Sequence, residues 1–198
     1  MEHTYRPLAS HPLPPKITFQ QPVQPRPRRV TLEDVATEVM TDFRRVRAIT
    51  VPATVTMEYA HERMRANRIH LLLVTDEQNA ILGLITSTDI EGEKPYIEMA
   101  VLGVRREQLS VADIMTPRER IEVIRMEDVE RACVGNVVAT LNAVGRQHAM
   151  VVACDSCGVP IVRGLFAVSQ LNRQLDEAFA PTEIARSFAE VEITLAHQ

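Results

Sequence analysis

The chain has 198 residues, of which 45% are hydrophobic, so it can bury a substantial core in one or two domains. The net charge of −4 disfavours binding to nucleic acid or to an anionic membrane. The sequence contains no run of about 18 apolar residues, so a membrane-spanning helix is not expected. Three Cys, together with an N-terminus that lacks the pattern of a secretory signal, favour a reducing cytoplasm over a disulfide framework.

The first 30 residues differ in composition from the rest of the chain. They contain seven of the twelve Pro residues and few apolar side chains. Such a segment cannot bury enough surface to offset the entropy of ordering, so we expect a disordered, Pro-rich tail. Its few basic residues would bind nucleic acid only weakly, and we interpret them as a solvated tail or a strap across the body.

The next part of the chain, residues 31–95, predicts a first structural unit. Thr31 is placed to cap a short helix over residues 32–39. An extended stretch at 48–51 precedes a longer helix with three apolar residues at helical spacing: Met57, Ala60 and Met64. Strands at 69–75 and 80–85 then form a hairpin.

A linker of helical character at residues 96–108 leads to a second unit over residues 109–180. A short strand at 122–124 precedes a helix with a row of apolar residues: Val134, Val137, Val138, Leu141 and Val144. A second hairpin, with strands at 149–154 and 161–166, and a closing helix complete the unit. The β-α-β-β-α order therefore occurs twice, which predicts an α/β fold.

Residues 181–198 form the last predicted element. Their apolar residues recur at helical spacing, which predicts an amphipathic C-terminal helix: Ile184, Phe188, Val191 and Leu195.

Three matched features indicate that the two units are copies of one ancestor. Each copy opens on an apolar residue followed by Met-Thr, places a His before an apolar strand, and closes on a strand led by Gly. The matched pairs are Thr41 and Thr116, His70 and His148, and Gly83 and Gly164. The offset between the copies grows from 75 to 78 to 81 residues. A duplicated unit of about 60 residues indicates two repeats packed on each other.

The openings, the strand pairs and the Gly-apolar-apolar-Thr-x-x-Asp ending at Gly83–Asp89 resemble the CBS domain, a module named after cystathionine β-synthase. The resemblance covers residues 32–92 and 109–179. It implies tandem CBS repeats packed through their sheets into a pseudo-twofold, Bateman-type module with clefts between the repeats. Members of this family commonly bind AMP, ADP, ATP or related adenosyl ligands, and pairs commonly associate into homodimers through their helices.

The resemblance assigns one ligand-binding cleft to the first repeat. Thr86 would lie near a phosphate and Asp89 would bind the ribose hydroxyls. Asp89 follows Thr86 by three positions, about one helical turn, which lets both side chains face one cleft. The other residues implied at this cleft are Thr50, Val51, Arg68, Ile69, His70, Leu71 and Thr88. The alternative is that Thr86 and Asp89 merely cap a helix.

The second repeat departs from this motif. Ala167 and Gln170 stand where the first repeat has Thr86 and Asp89, and they supply neither the hydroxyl nor the carboxylate. Ser169 is expected to face elsewhere on a regular helix. One working cleft is therefore expected rather than two.

Cys154 and Cys157 form the other notable pair. Their spacing provides half of a four-cysteine zinc site, which two copies of the chain would complete. A redox pair at this spacing usually lies at a helix N-terminus, whereas this pair lies in a hairpin turn. An ordinary cysteine-containing turn is the third alternative.

These observations predict a cytoplasmic regulatory module that senses an adenine nucleotide and relays its occupancy to a protein partner of unknown identity. No catalytic triad, Walker-type or H-E-x-x-H arrangement is visible, so neither an enzymatic activity nor a cofactor is expected. The alternatives are a ligand-free oligomerisation module and a zinc or redox sensor that uses Cys154 and Cys157.

Overall fold

The computed structural model describes residues 28–175. The predicted tail up to residue 27 and the helix predicted over residues 181–198 lie outside the described residues. Residues 28–30, expected to belong to the tail, are part of the fold. Val30 is buried in the hydrophobic core, and its N–H donates to the carbonyl of Gln174 at 3.0 Å.

The described residues form two α/β units. The strands are β1 (Thr41–Asp42), β2 (Thr50–Pro52), β3 (Leu71–Thr75), β4 (Ile81–Thr86), β5 (Thr116–Pro117), β6 (Val123–Arg125), β7 (His148–Cys154) and β8 (Pro160–Ala167). The helices are α1 (Met57–Asn67), α2 (Ser87–Glu91), α3 (Lys94–Leu102), α4 (Val111–Ile114), α5 (Met126–Val129), α6 (Val134–Ala143) and α7 (Val168–Gln174). Short 3-10 helices cover Ala36–Val39, Arg106–Gln108 and Arg118–Arg120. The predicted α/β class and the repeated β-α-β-β-α order are confirmed.

Helix α1 shows how the sequence determines a local element. The Thr56 hydroxyl accepts the N–H of Tyr59 at 3.2 Å and caps the first turn. The predicted apolar face is buried against the sheet: Met57, Ala60 and Met64. The helix ends at Arg68, which adopts the left-handed conformation with φ 54°.

The α-helix predicted over residues 32–39 is wrong in type and extent, because only a 3-10 helix at Ala36–Val39 forms. The Asp34 carboxylate accepts the N–H and the hydroxyl of Thr31, which makes a turn rather than a helix cap. Most backbone hydrogen bonds around this turn are made with residues 132–135: the N–H of Gly135, for example, donates to the carbonyl of Leu32 at 2.9 Å. Tertiary pairing therefore overrides the local helical pattern.

The strands make two four-stranded sheets in the orders β2-β3-β4-β5 and β6-β7-β8-β1. Each sheet contains the opening strand of the other repeat. In the second sheet β1 pairs antiparallel with β8, and in the first sheet β5 pairs antiparallel with β4. The two orders correspond strand for strand, which gives the pair its pseudo-twofold symmetry.

The exchanged strands pass very close to the Gly that leads each closing strand. A Cβ atom on Gly83 would lie 2.4 Å from the carbonyl oxygen of Thr116, and one on Gly164 would lie 2.5 Å from that of Thr41. Both contacts are shorter than any side chain tolerates. The matched Gly residues of the duplication are therefore required by the strand exchange.

Hydrophobic residues form a core on the outer face of each sheet and a smaller cluster between the sheets. The cluster between the sheets is built on Leu71, Leu73 and Met150, with Phe43, Leu84 and Leu165 packed against it. Within residues 28–175, each helix is too short or too polar to span a membrane. The space between the sheets is where the candidate site lies.

Candidate ligand-binding site

A cavity of about 230 Å³ lies between the two repeats. Three parts of the chain form its walls: the segment after β1, the start of β3 in the first repeat, and the end of β8 with α7 in the second. The lining residues are Thr41, Phe43, Val46, Arg47, Ile49, Arg68, Ile69, His70, Leu71, Leu73, His148, Leu165, Ala167, Ser169, Gln170 and Arg173.

The cavity combines apolar walls with an excess of positive charge. Side chains such as Phe43 and Leu71 make its apolar surface, which suits a flat ring system. Arg47, Arg68 and Arg173 approach it from three separate parts of the chain. None of the described residues that line it is Asp or Glu. The cavity therefore favours a ligand that is partly apolar and partly anionic.

The structure divides the site residues implied by the sequence into two groups. Four of them line the cavity: Arg68, Ile69, His70 and Leu71. The other five do not line it: Thr50, Val51, Thr86, Thr88 and Asp89. Val51 is 1% exposed and belongs to the outer core of the first sheet. Four of the nine residues therefore line this cavity, and the assignment of all nine to one cleft stays a prediction.

The second repeat supplies the wall that Thr86 and Asp89 were expected to form. Ala167, Ser169 and Gln170 line the cavity opposite the start of β3. The expectation that Ser169 faces elsewhere is therefore wrong. The pseudo-twofold packing explains both results, because it brings the strand start of one repeat against the strand end of the other.

Thr86 and Asp89 are engaged in a capping box at the start of α2. The Asp89 Oδ2 atom accepts the N–H of Thr86 at 2.9 Å and its hydroxyl at 2.7 Å, and Thr86 Oγ1 accepts the N–H of Asp89 at 3.2 Å. Lys94 Nζ lies 3.0 Å from the remaining carboxylate oxygen of Asp89. This arrangement corresponds to the helix-capping alternative. A ligand at this position would have to compete with these bonds.

Two imidazoles line the cavity, and both lie near α2. His70 Nδ1 is 3.3 Å from Ser87 Oγ, and the His70 carbonyl accepts the N–H of Ser87. Burial lowers the pKa of His148 to about 4, and the charge of His70 adds to this effect while Asp89 opposes it. His148 is therefore neutral near pH 7, and its ring does not add to the positive charge of the three Arg residues.

The lowered pKa of His148 predicts a loss of stability in mild acid. Its pKa is 6.5 in an unfolded chain and about 4 here, so the unfolded state binds a proton that the folded state does not. We expect the free energy of unfolding to fall as the pH is lowered from about 6.5 to about 4. Urea unfolding across this range measures it.

The matched control is His61→Gln, which removes a His that is paired with Glu91 at 3.1 Å outside the cavity. The His148→Gln variant should lose much of the decline in stability, and the His61→Gln variant should keep it. An equal decline in His148→Gln and the wild type would contradict the assignment to His148.

The three Cys residues occupy different environments. Cys154, at the end of β7, and Cys157, in the turn between β7 and β8, are both exposed, and the Asp155 carboxylate accepts the N–H of Cys157 at 2.8 Å. Cys133 lies at the start of α6, with its Sγ 3.1 Å from Asn136 Oδ1. Within residues 28–175, no group of three or more His, Cys, Asp or Glu side chains is arranged to hold a metal ion.

Sequence reasoning missed the contribution of the segment after β1. Phe43, Val46 and Arg47 line the cavity although they belong to an irregular stretch. A signal was present, because Arg residues follow both Met-Thr openings, at positions 44–47 and 118–120. Arg173 gave no such signal, since it lies on a helix surface where a solvated charge is ordinary.

The duplicated sheets, the exchanged strands and the cavity between the repeats define a paired α/β module. Residues 33–93 match the family model of the CBS domain. Residues 28–175 have the fold of CBS-domain pair proteins, as three solved structures show.

The conserved CBS domain protein TA0289 of Thermoplasma acidophilum is 22% identical, with a TM-score of 0.52 over 73% of this chain and 70% of that one. The CBS-domain protein ATU1752 of Agrobacterium tumefaciens is 17% identical, with a TM-score of 0.52 over 72% and 94%. CBSX2 of Arabidopsis thaliana, solved in complex with AMP, is 18% identical, with a TM-score of 0.50 over 71% and 93%.

Proposed function

We propose that this chain is a regulatory module that binds an adenine nucleotide in the cavity between its repeats. The observation that carries the proposal is the pairing of apolar walls with three guanidinium groups in a cavity whose described lining has no carboxylate. The AMP complex of CBSX2, which has the same fold, supports an adenine nucleotide as the ligand. The relay of occupancy to a protein partner, the cytoplasmic location and the homodimer implied by the family resemblance belong to the same proposal.

The charges of the cavity favour phosphorylated nucleotides over adenosyl ligands that lack a phosphate. Among the described residues, Arg47 and Arg68 line the cavity with no carboxylate partner shown for either, so both are free to bind an oxyanion. Guanidinium groups bind phosphate through paired, charge-assisted hydrogen bonds. Arg173 is held by Gln170 in the described structure and supplies a third cation. The apolar walls then contact the adenine ring.

This assignment predicts that Arg47 and Arg68 determine the affinity for the nucleotide. Arg47→Gln and Arg68→Gln should each weaken the binding of AMP, ADP or ATP by about tenfold or more, since each removes a charge-assisted contact. The loss should shrink at high salt, because the interaction is electrostatic. Isothermal titration calorimetry of the full chain measures both effects.

Arg65→Gln is the matched control. Arg65 lies in the last turn of α1, three residues before Arg68, and does not line the cavity. Its variant should bind like the wild type. If Asp89→Asn abolishes binding while Arg47→Gln and Arg68→Gln do not, the ligand lies at the capping box and this site is wrong. If no nucleotide binds the wild type, the proposed function itself is wrong.

A further inference from the structure

A continuous chain of side-chain hydrogen bonds leads away from the cavity. Arg173, in the cavity wall, donates from Nη2 to Gln170 Oε1. Gln170 donates from Nε2 to Gln174 Oε1. Gln174 in turn donates from Nε2 to the carbonyl oxygens of Glu38 at 3.0 Å and Arg28 at 3.2 Å. The three side chains thus connect the cavity with residues 28–38 at the start of the described fold.

Gln174 is the central member of this relay. It is 3% exposed, so its polar atoms depend on protein partners rather than on water. Both of its described donor contacts go to the N-terminal segment, and its Oε1 receives the N–H from Gln170. The backbone adds a further tie, because the Gln174 carbonyl accepts the N–H of Val30. The position of residues 28–38 therefore depends on the side-chain orientation of Gln174.

Arg173 connects the relay to the ligand. In the described structure its guanidinium is bonded to a neutral amide oxygen. Charged acceptors form stronger hydrogen bonds with guanidinium than neutral amides do. A phosphate in the cavity would therefore draw Arg173 away from Gln170 and leave the Gln170 amide free to turn.

We infer that ligand binding in the cavity loosens the N-terminal segment through the relay Arg173–Gln170–Gln174, an inference that rests on the proposed function. Once Gln170 turns, Gln174 Oε1 becomes a buried acceptor without its donor, which is costly. Gln174 then reorients, and its bonds to the carbonyls of Arg28 and Glu38 weaken. This segment directly follows residues 1–27 in the chain. Occupancy of the cavity is thereby reported at the N-terminal end of the fold.

Hydrogen exchange of the full chain tests the relay. In the wild type, saturating AMP should speed exchange of the Val30 amide by about fivefold or more, the lower end of ordinary allosteric coupling. Gln174→Met removes the relay at a residue that does not line the cavity. In that variant the Val30 amide should exchange fast without AMP, and AMP should change it no further.

Gln170→Ala provides a second break in the relay and covers the case in which Gln174→Met fails to fold. It is measured at AMP concentrations that saturate it by its own calorimetric titration, and the same loss of response is expected. Gln78→Ala is the matched control, since Gln78 is exposed in the turn between β3 and β4. It should respond to AMP like the wild type.

The outcomes separate this inference from the proposed function. If AMP binds the wild type but the Val30 amide exchanges at the same rate or more slowly, the relay is wrong and the proposed function stands. A normal AMP response in Gln174→Met or in Gln170→Ala also overturns the relay. Absence of binding by AMP, ADP and ATP in the wild type overturns both the relay and the proposed function.

Discussion

Replacing Asp42 with Ala is expected to lower the free energy of unfolding by about 3–5 kcal/mol, because it leaves a buried guanidinium without its partner. The Arg163 side chain is 9% exposed and bonds through Nη1 to Asp42 Oδ1. The pair joins β8 to the opening strand β1, whose short ladder also includes the N–H of Phe43 bonded to the carbonyl of Arg163. Urea denaturation at pH 7 measures the loss.

The pH dependence of this loss identifies its cause. Burial alone would raise the pKa of Asp42, but the hydrogen bonds from Arg163 and from the N–H of Arg44, with the charges of both Arg residues, hold it below 3.8. The stabilisation by this carboxylate is therefore present above about pH 4 and is lost as the pH falls through the lowered pKa. The difference in the free energy of unfolding between the wild type and Asp42→Ala should therefore become smaller as the pH falls through this range.

Two variants control this experiment. Asp128→Ala removes an exposed carboxylate and should change stability by less than about 0.5 kcal/mol. The double variant with Asp42→Leu and Arg163→Met replaces the ion pair by apolar side chains and should recover most of the stability lost in the single variant. A double variant as unstable as Asp42→Ala would show that the unpaired charge is not the cause.

Gly164→Ala and Gly83→Ala are each expected to destabilise the protein by about 2–3 kcal/mol, the upper range for overpacking a tight contact. A Cβ atom at either position would overlap a backbone oxygen of the exchanged strand at 2.5 Å or 2.4 Å. Relief would require β1 or β5 to move away from its sheet, which breaks ladder hydrogen bonds. Thermal and urea unfolding of the two variants measure the effect.

Gly135→Ala is the matched control for the same substitution. Gly135 lies in α6, and its added Cβ would meet nothing closer than the carbonyl oxygen of Leu32 at 3.4 Å. Ala also favours a helix over Gly by about 1 kcal/mol, so this variant should be as stable as the wild type or more stable. A loss in Gly135→Ala equal to that in Gly164→Ala would contradict the packing explanation.

The regular parts of the fold could be predicted from the sequence because their patterns are long and local. The buried face of α1 follows from apolar residues at helical spacing, and the hairpin β3–β4 follows from two apolar runs around a polar turn. The duplication then predicted the same order in the second half. The boundaries of the two repeats along the chain stay a prediction, because each sheet contains one strand of the other repeat and the sheets therefore do not mark where a repeat begins or ends.

The strand exchange could not be predicted from local patterns. Strands β1 and β5 have two residues each, too few for any periodicity. Their partners in β8 and β4 are determined by tertiary packing rather than by sequence neighbours. The 3-10 helix at Ala36–Val39 has the same origin, because residues 132–135 take the hydrogen bonds that an α-helix would have used.

Only some of the residues that line the cavity could be predicted from the sequence. The family resemblance identified Arg68–Leu71, which line it. It assigned Thr86 and Asp89 to the same cleft, which stays a prediction, and it did not identify Ala167 and Gln170, which line the cavity. The sequence of one motif does not show which repeat its side chains will face in the folded pair, because that depends on how the two repeats pack against each other. The second motif therefore contributes Ala167 and Gln170 to the lining of the cavity.

The exchanged strands also constrain the order in which the protein can fold during synthesis. Residue Asp42 and its partner Arg163 are separated by 121 positions along the chain. The ribosome releases the opening strand long before the C-terminal hairpin that it must join has been made. The first sheet can be completed earlier in synthesis, because its last strand, β5, follows β4 by only about thirty residues. We therefore expect the N-terminal sheet to form first during translation and the N-terminal segment to dock last, after β8 has emerged.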